Sequence, residues 1–558
     1  MVQSVVSARL LFLCVLLVPL GILATDLYVS PSGTPSGPGT MAQPYDLATT
    51  LRAGRPGDTF WLMGGNYVLG HLDTKIAGAP GEPITFRQMP GEKARVDGSV
   101  TFFDTIGYVI LRDFELFSSD TNRASAQTGV GFDVTDIQII PGIASFAPNL
   151  SFINLIVHDQ TRHGFYTSRV SSNNLIYGCV VYNNGWVSPD NAEGHGIYAQ
   201  GTLGTQEIAD NLVFQSSGAN MHVYDNGSGQ RLAGVTLDGN VAFNAGAIQN
   251  VRAYRDWIVG VDEPAVSADE IILKNNMGYS ALQVEVGRQG VNGSVTLSNN
   301  YFPQGLLLNN WGTAAVAGNV FSAAPRNAMV ALDQTRVSLA ATWDNNTYVH
   351  SAAGSNFLIN ASGYSFPEWQ TVTGYDQNST YRASGLSGTE VFVRSNRFET
   401  GRANIVVYNW DNLDSVAVDL SSVLAPGAAY EVRNAQDFFG PPVATGVFKG
   451  QMLALPMTGL TVAAPNGPLL APPPTGPTFN VFVLLPRLVR LKMATVDGQA
   501  QISWPTNAGN WLLQFRDNPS LDGDWTDEGS TPAILEDRYV VTTSFAQGAR
   551  FYRLRAKP

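Results

Sequence analysis

From about residue 150 the chain repeats a corner followed by a short apolar run. The segments NLIVHD, CVVYNN, NLVFQS, NVAFNA, NMGYSA, NYFPQG, NVFSAA and NTYVHS begin at Asn154, Cys179, Asn211, Asn240, Asn276, Asn300, Asn319 and Asn346. Their spacing varies between 19 and 36 residues. Irregular periods of that length, with β-branched and aromatic runs and many glycines, predict stacked β-coils. A leucine-rich array would show a stricter Leu framework, and a helical array an Ala/Leu/Glu periodicity. The leading Asn has two physical uses. Stacked coils bring equivalent side chains to about 4.8 Å, within amide hydrogen-bonding reach. Asn also tolerates the left-handed backbone of a sharp corner. Cys179 stands in this column and reads as a small buried substitute rather than a catalytic thiol.

Each coil is expected to carry a second strand beyond its corner. Aligning HGFYTS, HGIYAQ, MHVYDN, QNVRAY and QVEVGR puts Phe165, Ile197, Val223, Val251 and Val284 on one face. Side chains alternate along a strand. That alternation sends Tyr166, Tyr198, Tyr224, Arg252 and Glu285 to the other face. The apolar set belongs inside, so the polar and aromatic column faces out. Gly164, Gly196, His222, Asn250 and Gln283 form a neighbouring outward column. His163 and His195 fall on the opposite parity, at the strand entrance or a corner. His158 and His350 follow ladder corners and read as surface or turn residues. The stretch from Cys179 to Tyr198 is longer than its counterparts by about six residues, within GWVSPDNAEGHG, which predicts a loop beside the outward strip.

The repeat fades after Phe398. Short alternating runs separated by turn signals predict an antiparallel β-sandwich over 398–486. A Pro-rich segment, a linker or a long loop, precedes its final strand FNVFVLLP. Residues 487–558 resemble the fibronectin-like C-terminal modules of secreted bacterial proteins. Trp504, Trp511 and Trp525 there are core residues or sugar-stacking faces. The fold class is therefore all-β: a right-handed parallel β-helix with an N-terminal cap over 25–397, followed by small antiparallel β-sandwich modules.

Composition narrows the setting. Of 558 residues only 14% are charged, 56 are Gly, and the net charge is −12. That balance argues against nucleic acid and anionic membranes as partners. Arg9 followed by the apolar run 10–20 reads as a signal peptide over 1–24. The run is short for a membrane span of about 20 residues, and no later stretch is long enough. The expectation is a monomer that is secreted, periplasmic or held at the cell surface. Of the two cysteines, Cys14 leaves with the signal, so no intramolecular disulfide is available to Cys179.

The opening of the mature chain carries YVSPSGTPSGPGT from Tyr28, Pro44, PGDTFWLMGGNY ending at Tyr67, and VDGS from Val96. With these and the corner ladder, the chain resembles the pectate-lyase-like superfamily of right-handed parallel β-helices over roughly residues 26–395. The resemblance implies the fold. It does not choose among lyases, hydrolases, epimerases and adhesins, and the catalytic signatures of pectate lyases and polygalacturonases are not matched.

The outward strip of Tyr, His, Arg and Glu points to a polysaccharide as partner. Elimination from a uronate needs a neutralised carboxylate, a base and an acid. Arg252 is the candidate for the carboxylate, His222 for the base, and Tyr198 or Tyr224 for the acid. Tyr166, His163, His195, Asn250, Arg255, Glu285, Glu193 and Trp186 are candidate substrate contacts. Arg255 and Arg288 read equally as solvated charges. Hydrolysis would need two carboxylates, Glu285 with Glu193 or Asp190, and the strip supplies no second one. No cofactor is required. Ca²⁺ is a weaker option, through Asp190, Asn191 and Glu193. The alternative to an enzyme is a glycan-binding or cell-surface β-helix, and after it a purely structural array.

Overall fold

The computed structural model describes residues 26–556 apart from 104, 202–203, 226–230, 264–265, 324–326, 352–353, 488–490, 507–510, 518–524, 537 and 545–549. The expected signal segment lies outside the described residues. Three parallel ladders form the body, a right-handed β-helix. The first ladder has 12 strands, from Asp26–Val29 to Ala340–Asp344. The second includes Glu115–Phe117, Ile156–His158, Val180–Tyr182, Leu212–Phe214, Val241–Phe243 and Met277–Tyr279, in register. The third includes Ile143–Ser145, Phe165–Thr167, Ile197–Ala199, Met221–Asp225, Trp257–Val261 and Val284–Val286. At the N-terminal end the second and third ladders merge into two long strands, Gly65–Thr74 and Ala94–Phe102, with a bulge between Val68 and Gly70. A Cβ on Gly98, at φ 149°, would meet the Gly70 carbonyl oxygen at 2.2 Å, so only glycine fits that bend.

The core is one apolar column. Val157, Val181, Val213 and Ala242 point inward from the second ladder, and Phe165, Ile197, Val223 and Val284 from the third. Solenoids must close their ends. The helix Leu47–Ala53, capped by Asp46 accepting from the Thr49 amide (2.8 Å), buries Leu47 and Leu51 at one end. The helix Phe366–Thr373, with a Ser365/Glu368 capping box, buries Trp369 at the other.

The two uses foreseen for the corner Asn fall on adjacent residues. Asn211, Asn240, Asn276, Asn300, Asn319 and Asn346 pass amide hydrogen bonds along the column at 2.8 to 3.1 Å. The column ends on Asp376, which accepts from Asn346 Nδ2 at 3.2 Å. The left-handed residue is the one before: Asp210, Asn275, Asn299 and Asn345, with Gly178, Gly239 and Gly318. Asn154, at φ 54°, belongs to this second set. Leu155, not Asn154, is therefore the coil partner of Cys179, and that part of the sequence alignment is corrected by one residue. Cys179 is buried, its amide bonds Asn211 Oδ1 at 2.9 Å, and burial pushes its thiol up to about 12.

A five-stranded antiparallel sheet follows: Thr389–Ser395, Ala403–Asn409, Phe479–Pro486, Ala429–Asn434 and Ala444–Val447. It begins at Thr389 rather than residue 398, and FNVFVLLP occupies its centre. It packs on the outer face of the second ladder, where Tyr182, Phe214 and Phe243 meet Val406, Tyr408 and Phe479. His158 and His350 are buried, not surface residues as expected. His158 stacks on Tyr182 at 4.8 Å and lies between Glu115 (3.1 Å) and Asp159 (2.7 Å). The Pro-rich segment is a strap rather than a linker. Asn466 N donates to Asp159 (2.8 Å), Leu470 N to Ile248 O (3.0 Å), and Asn244 Nδ2 to Pro473 O (3.4 Å).

Two small antiparallel sheets form the C-terminal module around Ile502, Trp504, Leu513 and Val541. Trp504 is core. Guanidinium groups of Arg516 and Arg553 each lie 4.4 Å from the Trp525 ring, where a sugar face would stack. No described helix is long and apolar enough to cross a membrane.

Candidate active site

The register of the third ladder decides which side chains share its outer face. Tyr166 pairs with Tyr198, as the alternation predicts, but Tyr198 pairs with His222 rather than Tyr224. The next partner of His222 is Ile258, followed by Glu285. A slip of two keeps parity, so inward and outward assignments survive while neighbours change. The outward column is thus Ala144, Tyr166, Tyr198, His222, Ile258 and Glu285. A second column two residues along holds Phe103, Phe146, Ser168, Gln200 and Tyr224. Val251, Arg252 and Asn250 are not on the strand. They lie in the loop that leads into Trp257–Val261, with Arg252 and Asn250 exposed.

Arg252 reaches sideways, donating to Asn191 Oδ1 at 2.8 Å, and Tyr254 donates to Ala192 O at 2.5 Å. This loop therefore braces the hairpin of Trp186–Val187 and Ala192–Glu193. Trp186 is fully buried against Val134 and Ile137, which removes it as a substrate contact. Asp190 is exposed at the hairpin tip, accepting from Gly129 N (2.6 Å) and Ser188 Oγ (3.0 Å). Glu193 is buried at the base and accepts from Arg162 at 3.4 Å. Burial raises its carboxyl above the ordinary range, against the pull of Arg162.

Beside Glu193 three imidazoles converge. His163 and His195 stack at 5.1 Å, and His195 lies 4.1 Å from His222. The His195 backbone amide donates to His163 Nδ1 at 3.0 Å. The proton of neutral His163 therefore sits on Nε2, which faces Glu193 Oε1 at 4.0 Å. His195 Nδ1 donates to Ala219 O at 3.3 Å, leaving Nε2 as an acceptor. His222 Nδ1 is buried with no hydrogen-bond partner among the described residues. Burial depresses all three: His195 to about 3, and His163 and His222 well below the ordinary histidine range, with their mutual repulsion adding to the last two. All three are neutral at pH 7. His163, Glu193 and His195 bring ligand atoms within 4.8 Å of one another. The chemistry of His163 does not suit a metal, because its one lone pair already receives a backbone N–H. Among the described residues Asp190 joins no such group.

Tyr198 packs against His222 at 4.9 Å and meets Tyr166 edge-on at 5.4 Å. Gln200 connects the two phenols. Tyr166 donates to its Oε1 (3.1 Å), and its Nε2 donates to the Tyr198 oxygen (3.3 Å). The Tyr198 proton is thus left to point elsewhere. Burial raises both phenols above their ordinary range. Beyond His222 the face turns ionic. Tyr224 donates to Asp262 (2.9 Å), Arg288 pairs with Asp262 and Glu285, and Arg255 pairs with Glu285 at 3.2 Å.

A cleft of about 910 Å³ opens along this face over Tyr166 and Tyr198. Arg162, His163, Arg169 and Gln200 line it with His71, Asp73, Phe103, Ile140 and Phe146. Of the candidates named from sequence, Tyr166, Tyr198 and His163 border it, and His222 and His195 adjoin them. Tyr224, Glu285 and Arg255 belong to the ionic cluster, and Arg252 and Asn250 to the bracing loop. Arg162, Arg169, Gln200, Phe103 and Phe146 were not singled out. Arg162 was legible: it precedes His163 and shares the outward parity of Tyr166. Phe103 and Phe146 lie before the recognisable repeats.

Residues 27–256 match the family model described as Pel9A-like, right handed beta helix region. Pectate lyase PEL9 of Emericella nidulans is 25% identical over 169 residues, 29% of this chain and 40% of that protein. Pectate lyase L of Paenibacillus polymyxa is 25% identical over 298 residues, 50% of this chain and 62% of that protein. The chain thus spans less than two thirds of either curated relative. The crystal structure of pectate lyase Pel9A aligns with TM-score 0.40 at 16% identity, over 62% of this chain and 79% of that one. The resemblance read from the sequence stands over residues 27–256, where this right-handed β-helix is similar to the Pel9A-like helix region.

Proposed function

We propose that the protein is an exported polysaccharide lyase that cleaves a uronate-containing polymer by β-elimination in the cleft over Tyr166 and Tyr198. The observation that carries this reading is the set of ionisable groups in the cleft. Asp73 is the one carboxylate among its described lining residues, and it lies 3.1 Å from His71. Hydrolysis by a carboxylate pair has no second member there. Elimination needs a cation, a base and an acid; Arg162 and Tyr198 line the cleft, and His222 adjoins it, packed on Tyr198 at 4.9 Å.

Arg162 takes the role expected of Arg252. Among the described residues its carboxylate partner is Glu193 at 3.4 Å, whose own carboxyl burial holds above the ordinary range, so the positive charge of Arg162 is left for a uronate carboxylate. Neutralising that carboxylate acidifies the adjacent C5 proton. His222 accepts this proton; the C5–H electrons form the C4=C5 bond as the C4–O bond breaks. Tyr198 gives its proton to the departing oxygen. The depressed basicity of His222 comes first from burial and then from His195 and Arg288. A bound uronate supplies the missing counter-charge and raises it. The names of the two curated relatives favour pectate as the polymer to try first.

Incubation with a panel of polyuronates should produce ultraviolet absorbance from the unsaturated uronate, in step with new reducing ends. Reducing ends without absorbance would make the protein a hydrolase. Binding without either signal would make it a glycan-binding protein. Activity should persist in a chelator. Loss restored by Ca²⁺ would assign carboxylate neutralisation to an ion instead of Arg162.

A further inference from the structure

We propose that the N-terminal half of the cleft is a distinct subsite for a sugar unit without a free carboxylate, a neutral or ester-capped pyranose laid on Phe103 and Phe146. This rests on reading the cleft as a polysaccharide site and adds which unit sits beside the cleaved one.

In the two coils before Tyr166, the column that carries Tyr166 and Tyr198 holds only Thr101 and Ala144. These small residues form the floor of a depression. Phe103 and Phe146, one column along, stack on each other at 4.9 Å and 14° and form its aromatic side. Phe146 meets Tyr166 at 5.7 Å, so the aromatic row continues without a break to the proposed acid. Ile139, Ile140 and Pro141 complete the lining. Phe103 is 43% exposed and Val170, which lines the same cleft, 53%. A concave apolar surface kept in water beside a polar site is built for a ligand.

Charge identifies the ligand. Among the described lining residues His71 and Asp73 are the ionisable groups at this end; His71 Nδ1 is bonded to Ser99 Oγ (2.9 Å) and Nε2 lies 3.1 Å from Asp73. The cleft's guanidiniums are at the Tyr166 end, where Arg169 holds Asp225 through two bonds of 2.8 and 3.1 Å. A carboxylate over Phe103 would therefore lose water, face Asp73 and gain no cation. A methyl ester, an acetyl group or a neutral sugar incurs none of these losses and offers an apolar face to the rings. The preferred polymer then alternates, or is partly esterified: a free uronate at Arg162, and an uncharged unit on the N-terminal side.

The test uses the full chain carrying Tyr198→Phe, so that turnover does not consume the probe. Affinity electrophoresis would compare a partly methyl-esterified pectin with the same sample after saponification. The expected preference for the esterified sample is about tenfold, the scale of one well-stacked aromatic contact. Phe103→Ser should remove the preference, and Asp73→Arg should invert it. Equal binding of the two samples, or a preference that survives Phe103→Ser with Asp73→Arg also silent, overturns the subsite. Binding of neither sample overturns the polysaccharide reading as well. A preference that persists in a wild-type protein with no lyase product leaves the subsite standing and removes only the elimination chemistry.

Discussion

On the second ladder His158, Tyr182, Phe214 and Phe243 stack outward at 4.8 to 5.3 Å in successive coils. On the third ladder Phe146, Tyr166, Tyr198 and His222 make a similar outward row at 4.9 to 5.7 Å. The first row lies under the sandwich sheet, sealed by Tyr408, Phe479 and Val481. The second lines an open cleft. An aromatic column on a β-helix is therefore no sign of a substrate by itself. What distinguishes the two is whether the chain covers its own column. The histidines register the difference. Burial would push His158 down, but Asp159 and Glu115 hold it above the ordinary range, while His222, with no carboxylate partner among the described residues, lies well below.

The comparison breaks most decisively through activity. Arg162→Ala and Tyr198→Phe should each lower kcat/KM by about 10²- to 10⁴-fold, the range for a lost electrostatic or acid–base contribution. The melting temperature should hardly move. Steady-state rates on a polyuronate check this, with circular dichroism as the fold control. A variant that keeps about a tenth or more of wild-type activity removes its residue from the mechanism.

The converse experiment is on the covered face. Phe214→Ala should cost about 3–5 kcal/mol of stability, the usual loss for a phenylalanine buried in a core. Activity per folded molecule should be unchanged. Tyr166→Ala, on the open face, should cost less than about 1 kcal/mol yet reduce substrate binding. Denaturant unfolding of the two variants reads the contrast directly. Equal destabilisation would mean that the open column is as structural as the covered one.

How much of this was legible depended on whether neighbouring positions obey different rules. The Asn ladder stood out because a buried amide column has few alternatives. The Asn154 register failed because the left-handed corner residue one place earlier also favours Asn. Tyr166 and Tyr198 followed from parity alone. Trp257–Val261 did not, because all five residues are buried and no alternation remains. His158 and Trp186 were misplaced for a related reason: both are covered by segments distant in sequence, His158 by the sandwich and strap, Trp186 by Val134 and Ile137. Local pattern cannot show what a remote segment will cover.

A pH series sharpens the same contrast at smaller amplitude, because the two histidine environments carry opposite signs. His158 has a folded pKa above its unfolded value of about 6.5. Its stabilisation is complete below that value and is lost as pH rises through the folded pKa. His195 has a folded pKa of about 3. Its neutral form is favoured by the fold, so stability falls as pH drops below about 6.5, by up to 1.4 kcal/mol per unit. Subtracting the profiles of His158→Gln and His195→Gln from wild type isolates each group. The His158 difference should shrink on the alkaline side, and the His195 difference on the acid side. Matching slopes would show that the two faces share one electrostatic environment.

The smallest effect is expected at the corner that opens the covered face. Cys179 already occupies the Asn column and receives a hydrogen bond from the Leu155 amide. Its Sγ lies 3.6 Å from Phe152 O and its own amide is bonded to Asn211 Oδ1. An Asn here would present Oδ1 to Leu155 and Nδ2 to Phe152 O and Asn211 Oδ1. Those are the partners the side-chain amides of Asn240 and Asn276 find in their own coils. Cys179→Asn should therefore change stability by no more than about 1 kcal/mol, with the net gain of new hydrogen bonds offsetting the cost of burying the amide. Cys179→Leu, which can neither accept from Leu155 nor fit the corner, should cost more. Because the ladder lies inside both outer faces, neither substitution should alter activity per folded molecule. A loss of activity in Cys179→Asn at unchanged stability would mean that the scaffold corner and the open cleft are coupled, and that the two faces are not the independent surfaces their coverings suggest.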